Sequence, residues 1–331
     1  TRRFRTAYNE IPKKNGKTTL GAGVGNYLFI EDDEPGAEVY ATATKVDQAR
    51  LVWNEARNMI RQSPDLSAEV TILTRNLHVL RTDSKFEPLA SDTKTMDGLN
   101  VHGTIVDELH AHRNRDLISV IESGGASRRQ PLQFEITTAG NRRFSVGYDH
   151  HSYSQKILEG IIFDDSWFAI IFSLDEKNIK VKDKAGKIVW EDDDWTDPKV
   201  WEKANPNYGV SVKVDQLVSL CAKAKEIPAD ENTFRQLRLN QWVGQFSRWI
   251  SKELWDKNRN NFDPKELLGR RCWAGLDLAK TMDISALALV FPPEDMRNCG
   301  SCCFFIGCRR IILKSVSMRI MFLMMIGSNA D

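Results

Sequence analysis

The chain has 331 residues, 41% of them hydrophobic and 27% charged; that is enough apolar content for a packed core, and it excludes a largely disordered chain. Lysine plus arginine (46) nearly balances aspartate plus glutamate (45), so net charge neither favours nor excludes nucleic acid, and any basic binding face has to be local. Six cysteines with no secretory signal point to a reducing, cytoplasmic compartment, and no apolar run approaches the roughly 20 residues that span a bilayer, so no membrane role is expected. At roughly 100–200 residues per domain the length predicts about two domains. The chain begins at Thr1 and is almost at once in a strand, which reads as a fragment whose true start lies upstream.

In chain order, residues 3–11 predict a strand that feeds Ile11-Pro12-Lys13-Lys14-Asn15-Gly16-Lys17-Thr18-Thr19. This stretch reads as a phosphate-binding loop. Gly16 permits a tight turn that brings backbone N–H groups close to an anion. Lys17 can reach terminal phosphates and the Thr18 hydroxyl can bind Mg²⁺. A helix over Thr19 to Phe29 would point its N-terminus at those phosphates. The usual pattern has a glycine where Ile11 stands, so the stretch alone leaves open a basic turn between strand and helix.

Residues 38–44 predict a strand, 45–62 a helix with Val46, Ala49, Val52, Trp53, Ala56 and Ile60 at helical spacing, ended by Ser63-Pro64-Asp65. Residues 69–74 and 77–82 read as a hairpin about Arg75-Asn76, and Phe86 to Ala90 as a further strand. After the turn at 97–100 comes Thr104-Ile105-Val106-Asp107-Glu108, a buried strand ending in two acids. In a phosphate-loop ATPase the first, Asp107, supports Mg²⁺ and the second, Glu108, orients and deprotonates the attacking water; the alternative is an ordinary strand end with solvated acids. Loop and acids in this order favour the ATPase. Residues 114–124 predict a helix, 132–138 a strand, 151–162 a helix starting near His150-His151, and 167–174 a buried strand. Alternating strands and helices predict an α/β fold with a mostly parallel sheet. Ligands then bind beyond the C-terminal strand ends, where the loop, Asp107-Glu108 and Thr137-Thr138 converge. His110 and His112 lack a third convergent ligand and read as packing or hydrogen-bonding residues.

Asp183 to Asp197 reads as a solvated acidic loop, the stretch about Pro198, Pro206 and Gly209 as loop-rich, and 212–226 and 230–241 as helices. Residues 272–291 predict a hairpin with Asp277 on its first strand and Asp283 in its turn; paired acids there can hold Mg²⁺ or Mn²⁺ for phosphodiester hydrolysis. Between Asp295 and Asp331 there is no acid, while four of the six cysteines and five of the eight methionines lie there. A zinc site and an amphipathic membrane segment are both weaker readings than translation in the wrong frame, which predicts a tail that does not pack.

With these pieces in order the sequence resembles the large terminase subunit of tailed bacteriophages, from about Thr1 to Asp295. The resemblance is carried by residues 12–18, 97–100, 107–112, 137–140 and Gly275-Leu276-Asp277-Leu278. That family's phosphate loop commonly lacks the first glycine. The resemblance implies a RecA-like ATPase domain (1–175), a helical linker (176–268) and the first hairpin of an RNase H-like nuclease (269–295), followed here by the aberrant tail (296–331). It implies that Lys13, Lys14, Asn15, Gly16, Lys17, Thr18 and Thr19 bind ATP, with Lys13 or Lys14 sensing the γ-phosphate. Thr18 and Asp107 hold Mg²⁺, Glu108 is the base, and Thr137 and Thr138 couple hydrolysis to DNA movement. Asp277 and Asp283 are the nuclease metal ligands, an incomplete set, so that nuclease activity is expected to be lost. The implied function is ATP-driven packaging of double-stranded DNA into a procapsid in a bacterial host. The implied partners are a portal protein, a small terminase subunit and further copies in a ring. A helicase-like ATPase and an inert prophage remnant are the competing readings.

Overall fold

The computed structural model describes residues 2–90, 98–112, 115–175, 179–182, 188–191, 193–243, 267, 269–277, 285–292 and 301–307. The chain divides into two units, Thr1–Ser251 and Lys252–Asp331.

The first unit is built on an eight-stranded sheet. Its strands are β1 (Thr6–Glu10), β2 (Glu38–Ala43), β3 (Val70–Ile72), β4 (Leu77–Val79), β5 (Ser84–Ala90), β6 (Val101–Asp107), β7 (Leu132–Thr137) and β8 (Trp167–Ile171). They lie in the order β3-β4-β5-β2-β6-β7-β1-β8. From β5 to β8 all pairs are parallel, and the β3-β4-β5 edge is antiparallel. All seven residues of β6 are buried, as expected for a parallel strand covered on both faces.

Helices α1 (Lys17–Ile30) and α2 (Val46–Gln62) cover one face, and the core there joins Leu28, Phe29, Val52, Trp53 and Ile60 to Val39, Phe86, Ile105 and Ile136. α2 buries Ala49, Val52, Trp53, Ala56 and Ile60, the stripe its spacing predicts. α1 has no such stripe, yet it lies close to the sheet because Gly25 faces it: a Cβ there would stand 2.7 Å from the Phe86 ring. On the other face α4 (Asp116–Gly124) and α5 (Val146–Leu158) pack Leu117, Ile118, Ile121 and Val146 against Tyr8, Tyr40 and Val106.

Several expectations shift. α5 starts at Val146, capped by the Ser145 hydroxyl, which accepts from Tyr148 N–H; His150 and His151 are therefore inside the helix and buried, not at its start. A short helix, α3 (Pro64–Glu69), follows α2 without a loop, capped by Ser63. The acidic stretch expected as loop contains part of a hairpin, β9 (Ile179–Lys182) and β10 (Ile188–Glu191). The region expected as a linker folds around its own core: α6 (Trp201–Ala204), α7 (Val214–Glu226) and α8 (Pro228–Leu239) gather Trp201, Leu217, Cys221, Phe234 and Leu239 about Leu174. As far as Ser251 it lies within the first unit.

In the second unit β11 (Trp273–Asp277), β12 (Ser285–Phe291) and β13 (Ser301–Gly307) form an antiparallel sheet in that order. Asp277 pairs with Ala286, and Ser285 to Phe291 pair with Gly307 to Ser301. The hairpin is as expected. β13 is a correction: it lies in the stretch expected to stay unfolded. Asp283 and residues 308–331 lie outside the described residues. No described helix is long and apolar enough to cross a membrane.

Candidate active site

The loop between β1 and α1 turns through two left-handed residues, Lys14 (φ 72°) and Gly16 (φ 81°). Gly16 caps α1 with no side-chain bond, leaving the first-turn amides to an outside acceptor. Lys17 is only 8% exposed. Its ammonium donates to Ile11 O at 2.6 Å, Pro12 O at 3.1 Å and Thr138 Oγ1 at 2.8 Å. Burial lowers its pKa to about 8, against the pull of Glu108 and Asp107.

The two acids stand at the end of β6, with β7 between them and the loop strand β1. Asp107 is 7% exposed; burial, and then the Glu108 charge, push its carboxyl up to about 7, against Lys17. Glu108 takes a left-handed conformation (φ 53°), uncommon for a residue with a side chain, as its amide turns to Ile136 O at 3.0 Å. Its Oε2 is buried without a hydrogen-bond partner. His110 Nδ1 is 3.1 Å away but bonds Thr137 Oγ1 at 3.0 Å. The two distances are alike; the bonding geometry is satisfied only at the threonine. Burial holds the His110 and His112 imidazoles below their usual values.

Thr137 and Thr138 are fully buried. Thr138 touches both Lys17 and Ile11 O (3.3 Å), and Thr137 Oγ1 accepts from the His110 backbone N–H at 3.0 Å. The end of β7 and the residue after it thus present one threonine toward the acids and one toward the loop. The structure brings together Lys17, Asp107, Glu108, Thr137 and Thr138. Thr18 lies in the first turn of α1. Thr19 bonds Glu55 at 3.2 Å and Lys13 and Lys14 are exposed. Two adjacent carboxylates, one orphaned oxygen and one raised carboxyl form a donor set suited to a hard cation, which takes few protein oxygens when phosphates supply the rest. Among the described residues no group of three or more His, Cys, Asp or Glu side chains could hold a metal ion. Asp277 ends β11, and with Asp283 outside the described residues the nuclease pair is not seen together.

Sequence reasoning missed a second, buried shell. Glu10, at the end of β1, is wholly buried. It accepts from Tyr8 OH, from Trp242 Nε1 (3.2 Å) and from Asn240 Nδ2 (3.4 Å), and contacts His151 Nδ1 at 2.8 Å. Asn240 Oδ1 in turn accepts from Ala139 N–H at 2.7 Å, next to Thr138. The one sequence signal was an acid ending the strand that feeds the loop. Glu135 likewise meets His150 Nδ1 at 2.9 Å, which keeps the His150 pKa above its usual value despite burial.

Residues 1–156 match the family model described as terminase large subunit, ATPase domain, and residues 188–307 that described as terminase large subunit, endonuclease domain. The second match runs past Asp295, where the sequence resemblance was expected to end. Protein YmfN of Escherichia coli (strain K12) is 33% identical over 199 residues, 60% of this chain and 40% of that protein. The terminase large subunit of Enterobacteria phage HK97 is 28% identical over 303 residues, 86% of this chain and 53% of that protein. The chain thus spans about half the length of the curated relatives it matches. The crystal structure of the HK97 bacteriophage large terminase superposes with a TM-score of 0.61 at 24% identity, over 95% of this chain and 62% of that one, a likeness of fold. The ATPase-domain match covers the phosphate loop and the acids, the endonuclease-domain match covers the β11-β12-β13 sheet, and the chain belongs to the terminase large-subunit family.

Proposed function

We propose that this chain hydrolyses ATP at the end of β1, β6 and β7 and that the hydrolysis drives double-stranded DNA into a procapsid. The observation that carries the reading is the position of β7: Thr138 bonds the Lys17 ammonium while Thr137 bonds His110 beside Glu108. Lys17 holds the terminal phosphates, and Lys13 or Lys14 lies where the γ-phosphate is sensed. Amides of Asn15 to Thr19 surround the phosphate chain. Thr18 and Asp107 would hold Mg²⁺, which supplies charge neutralisation at the phosphates. The Glu108 carboxylate orients the attacking water and takes its proton at the oxygen that has no partner. Thr137 and Thr138 pass the change at Lys17 toward DNA movement. A portal protein, a small terminase subunit and a ring of copies are the partners that go with this reading, in the host cytoplasm.

For the second unit we propose an RNase H-like nuclease in which Asp277, with Asp283, would carry the metal, Mg²⁺ or Mn²⁺. Between residues 296 and 330 the sequence has no Asp or Glu, so β13 brings no further carboxylate, and we propose that Asp277 and Asp283 alone, short of the two-metal requirement, do not cut DNA.

Three outcomes are expected. Mg²⁺-dependent ATP hydrolysis by the chain should fall about 100- to 10,000-fold in Glu108→Gln, the loss of a general base; equal turnover in the variant sinks the site, and a folded chain with no turnover leaves it without the proposed activity. Affinity for Mg·ADP should depend on pH. The Lys17 proton has a pKa of about 8 in the empty chain and a bound phosphate holds it more tightly, so binding takes up a proton above that pH. Affinity is therefore greatest between about pH 7, below which the Asp107 carboxyl takes up a proton that competes with Mg²⁺, and about pH 8, and falls by up to about tenfold per pH unit above that; titration calorimetry giving a flat profile from about pH 7 to 9.5 contradicts this. Supercoiled plasmid incubated with the chain and Mn²⁺ should stay uncut, and nicking that Asp277→Ala abolishes would show the nuclease to be complete.

A further inference from the structure

The phosphate loop is fastened from outside by the helical region, through a set of bonds that neither phosphate binding nor hydrolysis accounts for. Asn15 Nδ2 donates to Asn205 Oδ1 at 2.9 Å. Asn207 closes on the same residue twice: its backbone N–H donates to Asn15 Oδ1 at 3.0 Å and its Nδ2 to Asn15 O at 3.1 Å. Ser211 Oγ donates to Lys14 O at 2.6 Å, and Lys13 N–H to Leu237 O at 3.0 Å. Asn205 is fully buried and anchored in turn, its Nδ2 shared between Trp201 O at 2.9 Å and Arg238 O at 3.0 Å. Three partners of the loop, Asn205, Asn207 and Ser211, thus sit on the stretch between α6 and α7, and a fourth, Leu237, on α8.

The direction of these bonds matters. Two successive carbonyls of the loop, at Lys14 and Asn15, are pulled outward by donors from residues 207 and 211. Lys14 is held in a left-handed conformation that a lysine adopts at a cost; a strained turn persists only where its surroundings over-determine it. With the carbonyls held outside, an anion on the other side of the loop meets amide hydrogens rather than carbonyl oxygens. The ammonium of Lys17 already caps two more carbonyls, of Ile11 and Pro12, that would otherwise face the site.

We propose that Asn207, acting with Asn15 and Asn205, is a positioning residue of the nucleotide site: it holds the phosphate loop in the shape that receives phosphate, so that residues 201–239 set nucleotide affinity. This rests on the ATPase reading above. A loop that must be reshaped on binding loses affinity in proportion to the fraction of time it spends in the wrong shape. Once occupied, it presents the same atoms to the reaction. Releasing the loop therefore raises the dissociation constant and KM and leaves kcat nearly unchanged, whereas general damage to the fold lowers kcat and the unfolding midpoint together.

The test uses the full chain, fluorescent Mg·ADP binding and ATP kinetics, with Asn207→Ala and Ser211→Ala. Each removes one side-chain donor to a loop carbonyl; Ser211 is exposed, so its variant folds whether or not Asn207→Ala does. The expected result is a dissociation constant about five- to tenfold higher in each, the worth of one hydrogen bond, with KM rising alike, kcat held and the unfolding midpoint of Ser211→Ala unmoved. Parent-like affinity in folded Asn207→Ala, or in Ser211→Ala where Asn207→Ala does not fold, overturns the proposal, as does a fall in kcat at constant KM. A parent chain that binds no Mg·ADP removes the ATPase reading and this inference together; a parent that binds with variants that bind equally removes the inference alone.

Discussion

The ammonium of Lys17 is the constraint on which the site is built. A cation this deeply buried is tolerated only with its donors fully engaged, and here the partners are two carbonyls at the exit of β1 and the hydroxyl of Thr138, just past the end of the neighbouring strand β7. A phosphate arriving at the loop offers that cation a charged partner in place of neutral ones. Whatever Lys17 gives up, Thr138 loses. The residue that follows the strand between loop and acids is thus tied to the lysine proposed to engage the nucleotide. Depressed basicity at Lys17 and depressed acidity at Asp107 have the same origin, the burial of charge.

A second buried charge supports the first. Glu10 closes β1 immediately before the loop and is met by Tyr8, His151, Asn240 and Trp242. These partners come from the loop strand itself, from α5 and from the segment after α8. Asn240 also takes the Ala139 amide, and Trp242 lies where a Cβ on Gly140 would fall, 2.7 Å away. The stretch that follows Thr137 and Thr138 is therefore packed against the end of the helical region. A carboxylate with this many donors costs several kcal/mol if one side of the arrangement is removed, so the network fixes the end of β1 firmly. Together with the asparagine contacts to the loop it makes the helical region a wall of the proposed nucleotide site.

What could be read from sequence, and what could not, follows from chain separation. The loop, the paired acids and the threonine pair are local motifs whose chemistry is written in adjacent residues, and the parallel sheet follows from strands alternating with helices. Asn15 meets partners 190 and 192 residues away; no local pattern announces such contacts, and Asn205-Pro206-Asn207 reads as a turn. The start of α5 was legible and missed, since Ser145 three residues before Tyr148 is an ordinary capping signal, outweighed by the pair of histidines. Absence of acids after Asp295 was read as absence of structure. Ser301–Gly307, rich in cysteine, phenylalanine and isoleucine, needs no acid to pair as a strand beside Ser285–Phe291.

The most direct measurement is a structure of this chain with Mg²⁺ and a non-hydrolysable ATP analogue. The account requires the Lys17 ammonium to have left Ile11 O and Pro12 O for a terminal phosphate oxygen, with Thr138 released and the metal beside Thr18 and Asp107. A nucleotide bound elsewhere, or bound at the loop with Lys17 still on the Ile11 and Pro12 carbonyls, would contradict it.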